Sequence, residues 1–270
     1  MPDAIITSPA NPRLKALQTL RRRRGREQAG LTLVEGYDEL GLALDAGVRP
    51  RELFYCPELM LDPAAQRHVV DAARAAGASV ARLSRAAFEK VAYREGADGF
   101  LAVVPAVGTS LDGLSLPDDP FVLVAEGVEK PGNLGAMLRT ADAAGVDAVI
   151  AADPVTDWGN PNVVRGSKGT VFALPVASAT TVETLDWARA RGIRVVAATP
   201  DTDITHTDVD LTGPIAVTVG TEKQGLTPQV LDRADVRVRI PMVGKANSLN
   251  VATSAAIVLY EAVRQRPTRV

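Results

Sequence analysis

From Phe121 onward the chain repeats one device. A short apolar run rich in β-branched residues is followed by a polar turn, a helical segment, and another run. The runs are FVLVAEGV (121–128), DAVIAAD (147–153), IRVVAATP (193–200), PIAVTVG (214–220) and VRVRIPM (236–242). Nearly continuous apolar runs of this length need cover on both faces. A parallel sheet with helices on either side provides it. The intervals NLGAMLRTADAAG (133–145), TVETLDWARARG (181–192) and TPQVLDRAD (227–235) carry helical spacing. A last helix is predicted in SLNVATSAAIVLYEAVRQR (248–266), with Ser248 as its N-cap.

Residues 1–106 form a smaller α/β module by the same reasoning. LTLVEG, RELFYC, ASVARLS and GFLAVVP read as strands; YDELGLALDAG, DPAAQRHVVDAARAAG and RAAFEKVAY read as helices between them. The stretch 107–119 is rich in Gly, Ser, Pro and Asp and reads as a linker. The second domain is then 120–270.

Bulk composition narrows the chemistry. Net charge is −2 over 270 residues, so nothing draws the whole chain to a polyanion, although local patches can still do so. One basic run stands out at the N-terminus. A helix predicted to open at Asn11-Pro12 continues into Arg21, Arg22, Arg23, Arg24 and Arg26. This run is either a solvated helix end or a phosphate clamp. Cys56 is the lone cysteine, and His68 and His206 lie far apart, so neither a disulfide nor a Cys/His metal site is expected. The N-terminus lacks an apolar run of signal-peptide length and no window approaches a membrane span. A cytoplasmic protein without membrane association is expected.

The stretch FVLVAEGVEKPGNLGAMLRTADAAG (121–145) invites a phosphate-loop reading, but Gly127, Gly132 and Gly135 do not spell G-x-G-x-x-G. A Walker lysine pattern is missing too. Three other stretches are unusual: NPNVVRGSKGTVFALPV (160–176), VTVGTEKQGL (217–226) and IPMVGKANSLNVATSAA (240–256). Each mixes glycine with Asn, Ser, Glu or Arg at a strand terminus. Ligands of open parallel sheets bind beyond the carboxyl ends of the strands, where such segments converge.

NLGAMLRT, VGTEKQGL and IPMVGKANSLNVATSAAI together resemble the three ordered motifs of SpoU/TrmH-type RNA ribose 2′-O-methyltransferases, a family of the SPOUT superfamily. LVEGYDELGLALDAG resembles that family's N-terminal substrate-binding domain, and this resemblance favours the phosphate-clamp reading of Arg21, Arg22, Arg23, Arg24 and Arg26. The resemblance implies a trefoil-knotted α/β domain that binds S-adenosylmethionine (SAM) and dimerises through the C-terminal domain. Composition and periodicity alone would imply an unknotted Rossmann-like sheet. The implied substrate is RNA, with ribosomal RNA first and transfer RNA second.

Roles follow from the same resemblance. SAM is implied to rest against Thr199, Gly220, Ile240, Met242 and Leu249. Arg139, Asn133, Glu222, Ser248 and Asn250 are implied at the reacting centre. Methyl transfer to a ribose hydroxyl is an in-line displacement, so the hydroxyl must be aligned and lose its proton. With a pKa above about 12, an arginine is a poor general base. Arg139 is therefore expected to hold the phosphate beside the target ribose and to stabilise developing alkoxide. Either it or a phosphate oxygen takes the proton. Arg165 and Lys168 are expected to contact phosphate, and Trp158 either stacks on a base or packs internally. An RNA-binding module without catalysis, and a metabolic enzyme on a Rossmann sheet, are the rival readings.

Overall fold

A computed structural model describes residues 3–246 and 248–267. The chain divides into two compact units. The first holds the residues up to Val107 together with Asp157–Ala173; the second holds Gly108–Thr156 and the residues from Leu174 onward. A segment from inside the second predicted domain is thus part of the first unit. All of the predicted linker except Val107 belongs to the second: the Thr109 amide donates to Val176 O at 2.9 Å, and Leu114 is buried in that unit's core.

The first unit is a five-stranded mixed sheet. Its strands are β1 (Ala4–Ile6), β2 (Leu31–Glu35), β3 (Glu52–Tyr55), β4 (Ser79–Leu83) and β5 (Phe100–Pro105), in the spatial order β1-β4-β3-β5-β2. β5 runs antiparallel to both of its neighbours. The helices are α1 (Pro12–Leu20), α2 (Arg23–Ala29), α3 (Tyr37–Asp45), α4 (Arg67–Ala75) and α5 (Arg85–Val91), joined by α7 (Pro161–Gly166) from the later segment.

α1 begins where Asn11 accepts the Arg13 amide at 2.9 Å and Pro12 supplies a preset first residue. It buries Leu14, Leu17 and Leu20 against Phe54, Phe88 and Leu101. The sequence reading has one basic helix here; the structure has two. Arg22 is extended (φ −98°, ψ 138°), and α2 starts after it. The arginine run therefore lies across a helix break.

The second unit is a six-stranded sheet, parallel in every pairing. Its strands are β6 (Phe121–Glu126), β7 (Ala148–Ala152), β8 (Val176–Ala179), β9 (Arg194–Ala198), β10 (Ile215–Val219) and β11 (Val236–Val238), in the order β11-β9-β10-β6-β7-β8. β6, β7 and β10 are buried along their whole length, as the unbroken apolar runs require. The helices are α6 (Pro131–Ala143), α8 (Thr181–Ala190), α9 (Pro228–Arg233) and α10 (Val251–Gln265). A doubly wound dinucleotide fold would place its fourth strand beside its first. Here the fifth strand, β10, takes that position between β6 and β9. The loops leaving β9, β10 and β11 are brought side by side as a result.

Candidate functional site

Those three loops and the start of α10 enclose a cleft of about 550 Å³. That falls within the usual range for small-molecule sites, roughly 300–1,000 Å³. Thr199 leaves β9, Gly220 leaves β10, Ile240 and Met242 follow β11, and Ser248 and Leu249 precede α10. All six line the cleft.

After Gly220 the chain closes a tight loop. Thr221 and Gly225 exchange both backbone hydrogen bonds at 3.0 Å. A Cβ at Gly220 would lie 2.2 Å from the Gly225 carbonyl carbon and oxygen, so this close approach needs glycine. Gly127, just past β6, sits against the same loop at φ +61°, and its Cβ would be 3.1 Å from Thr221 Cγ2.

Glu222, on that loop, gathers a polar cluster. Its carboxylate accepts from Lys130 Nζ and Asn133 Nδ2, and from Asn250 Nδ2 at 3.0 Å. The Asn250 amide also donates to Asn133 Oδ1 at 3.2 Å. The hydrogen bond from Lys130, followed by that from Asn133, holds the Glu222 carboxyl below its ordinary pKa. The carboxylate is thus ionised at neutral pH. A small recess of about 60 Å³ adjoins the cluster, and Thr221, Glu222 and Val251 line both it and the cleft.

Asn250, rather than Ser248, caps α10. Its Oδ1 accepts the Ala252 amide at 3.0 Å and the Thr253 amide at 3.4 Å. One side chain thus satisfies a helix end with its oxygen and the site with its nitrogen. Ser248 lies two residues too early to reach those amides, and it faces the cleft instead.

Arg139 is exposed on α6, six residues beyond Asn133. At about 1.5 Å and 100° per residue, that is roughly 9 Å along the helix and a third of a turn away from its face. Among the described residues it has no ion-pair or hydrogen-bond partner. The chain therefore presents an uncompensated guanidinium near the site without joining it to the Glu222 cluster.

Two residues of the site escaped the sequence reading. Lys130 is the ammonium on Glu222, and nothing in EKPGN sets it apart from a surface lysine. Glu126 ends β6 at 2% exposure. Its carboxylate accepts from Thr181 Oγ1 at 3.0 Å, Thr227 N at 2.8 Å and Thr227 Oγ1 at 2.6 Å. Thr227 is the residue before α9 and Thr181 is the first of α8, so two helix N-termini meet this charge. The result anchors the far end of the 220–226 loop. The available signal was an acidic residue closing an otherwise apolar strand.

Apart from Arg139, the predicted phosphate-contacting residues all lie in the first unit and divide there. Arg22 and Arg24 are exposed, and Arg23 pairs with Glu27 at 2.7 Å. Arg21 is half-buried and donates to Val91 O and Ala92 O, each at 2.7 Å. Arg26 is different: at 4% exposure it pairs with Asp157 at 2.5 Å and donates to Leu20 O at 2.9 Å. Its guanidinium holds the later segment in place and is not presented to a phosphate. Arg165 and Lys168 are exposed, Lys168 in the left-handed region at φ 54°. Trp158 is buried, which matches the packing alternative.

Residues 120–260 match the SpoU rRNA methylase family, and residues 11–102 match the MRM3-like substrate binding domain. The 23S rRNA (uridine(2479)-2′-O)-methyltransferase of Streptomyces viridochromogenes is 34% identical over 97% of this chain and 92% of its own length.

The chain belongs to the SpoU rRNA methylase family.

Solved structures agree with this membership. A crystal structure of an RNA 2′-O ribose methyltransferase superposes with a TM-score of 0.84 at 39% identity, covering 97% of this chain and 98% of that one. The AdoMet-bound rRNA methyltransferase from Sinorhizobium meliloti superposes with a TM-score of 0.88 at 29% identity, covering 98% of both chains. Within the SpoU methylase region, the segment Asp157–Ala173 is the part that packs with the unit holding the match to the MRM3-like substrate binding domain.

Proposed function

We propose that this chain transfers a methyl group from SAM to a ribose 2′-hydroxyl of ribosomal RNA. The supporting observation is the convergence of the loops after β9, β10 and β11 on one cleft, with the Glu222–Asn133–Asn250 cluster at its edge. The residues present fit the cofactor. Ile240, Met242 and Leu249 offer apolar contact for a planar base, Thr199 and Ser248 offer hydroxyls, and Gly220, whose missing side chain lets the 220–226 loop close, adds bare backbone to the lining. When bound there, SAM supplies an electrophilic methyl group on a sulfonium.

The chain's own residues do the rest. Ionised Glu222 fixes the Asn133 and Asn250 amides and the Lys130 ammonium, so the polar edge of the site is set before substrate arrives. Arg139, permanently charged, holds the phosphate next to the target ribose and stabilises negative charge as the 2′-oxygen loses its proton. That proton passes to a phosphate oxygen, or to Arg139 where its guanidinium has first given up a proton of its own.

On this reading residues 1–106 select the RNA, 107–119 connect, and 120–270 carry the transfer domain with the family's trefoil threading. Exposed Tyr260 and Val263 on α10 suit a homodimer through the C-terminal domain. Among the described residues no helix is long and apolar enough to cross a membrane. A cytoplasmic location is part of the proposal. Transfer RNA is the second substrate choice. A binding module without catalysis is disfavoured because Asn133, Arg139, Glu222, Ser248 and Asn250 are all present. The deciding experiment maps 2′-O-methyl positions in total RNA from cells with and without the gene. Loss of methylation at a ribosomal RNA position is expected, and unchanged maps in every RNA would reject the reading.

A further inference from the structure

Two stretches far apart in sequence meet at one exposed aromatic ring in the first unit. Tyr93 follows α5 and is 43% exposed. The Arg21 guanidinium lies over its ring, 5.9 Å from the centroid, within cation–π reach of about 6 Å. From α7, Asn162 Nδ2 donates to the Tyr93 hydroxyl at 3.0 Å. Arg165 lies three residues beyond Asn162, on the same side of that short helix, and is exposed.

The ring is also held through its backbone. The Tyr93 and Arg94 amides donate to the Glu35 carboxylate at 2.7 and 3.3 Å. Arg94 pairs with Asp98 at 2.5 Å, which closes the loop behind them. Burial outweighs these hydrogen bonds and raises the Glu35 pKa. The outcome is a large aromatic side chain left in solvent and immobilised in advance, with the Arg21 guanidinium over its ring and Asn162 on its hydroxyl.

An unpaired nucleobase matches both halves of this arrangement. Its π-face stacks on tyrosine, and the phosphates that flank it meet the cations. Duplex RNA does not, because its bases are already stacked on one another. We propose that Tyr93 is the stacking platform for one unpaired base of the RNA substrate, with Arg21 bracing the ring and Arg165 holding the adjoining phosphate. This rests on the RNA-methylation reading and adds a recognition element to it.

The test uses the full chain and three variants, Tyr93→Ala, Tyr93→Phe and Tyr93→Trp. The first probe is an unmodified transcript of large-subunit ribosomal RNA. Tyr93→Ala should raise KM for this RNA roughly 5- to 100-fold, the range set by loss of one stacked base, with kcat and SAM affinity unchanged. Tyr93→Phe should stay near wild type, because it keeps the ring. The second probe is a single-stranded oligoadenylate compared with the same strand in duplex. Trp158 and Trp187 are buried, so Y93W adds one exposed indole. Its emission should be quenched by the single strand and not by the duplex. Wild-type KM in Tyr93→Ala, or equal quenching by duplex, overturns the proposal. If wild-type protein methylates no RNA but Y93W shows the selective quench, the methylation reading falls and the platform stands.

Discussion

The cleft of the second unit lies where chain leaves a sheet and the tyrosine loop of the first lies between α5 and β5, and the two are held in different ways. The cleft is shaped by main chain: three loops from adjacent parallel strands, with a glycine where a Cβ would strike backbone. The tyrosine loop is shaped by side chains: Glu35 on two amides, Asp98 on Arg94, Arg21 and Asn162 on the ring. A main-chain pocket tolerates substitution of its lining and fails when a side chain intrudes. A side-chain platform loses affinity in increments, one contact at a time.

The largest effect is expected at the reacting centre. Arg139→Ala should lower kcat by about 10²–10³, the usual cost of losing one charge-stabilising donor. Calorimetry should find SAM affinity within about threefold of wild type. Full turnover would return Arg139 to the solvated surface. Next comes the main-chain argument: Gly220→Ala should weaken SAM binding by about 10²-fold, because the obstructing atoms are backbone. Unchanged affinity would show that the loop opens freely and would erase the contrast with the first unit.

Within the first unit, Arg26→Ala should cost about 3 kcal/mol of stability, since it strands Asp157 beside a buried void. Thermal melting reads this, and a wild-type melting point would show that the pair is dispensable. Replacing Arg22, Arg23 and Arg24 together with alanine should leave the melting point alone. It should reduce the log–log salt slope of RNA binding by up to about 2. An unchanged slope would make those arginines bystanders. The smallest effect concerns pH. Glu222 has a lowered pKa, so its charge is present above the ordinary carboxylate value of about 4.3 and is lost only as pH falls through the lower folded value. The rate profile between about pH 6 and 8 should carry no acid limb from it. A limb there that Glu222→Gln removes would contradict the hydrogen-bond cluster.

These contrasts explain what was legible beforehand. Thr199, Gly220, Ile240, Met242 and Leu249 were grouped through the family resemblance, and the fold accounts for the grouping: each follows a strand or enters the last helix, and parallel strands deliver their ends to one side. The arginine run could not be resolved. Successive helical residues point about 100° apart, and the break at Arg22 turns the direction again. Exposed Arg24 and buried Arg26 are two residues apart and do unrelated jobs. Ser248 and Asn250 are both good capping residues, and only the position of the first turn separates them. Glu126 and Tyr93 were invisible for a common reason: their partners are more than fifty residues away in the chain.

The return of Asp157–Ala173 to the first unit has a practical consequence for anyone exchanging substrate domains between relatives. The polypeptide passes from one unit to the other three times, so a cut at the apparent boundary does not excise a self-sufficient piece. A chimera joined near Val107 would inherit Arg26 and Thr32 while leaving behind Asp157 and Gly159, their counterparts on the grafted side. Transplants should carry both segments or neither.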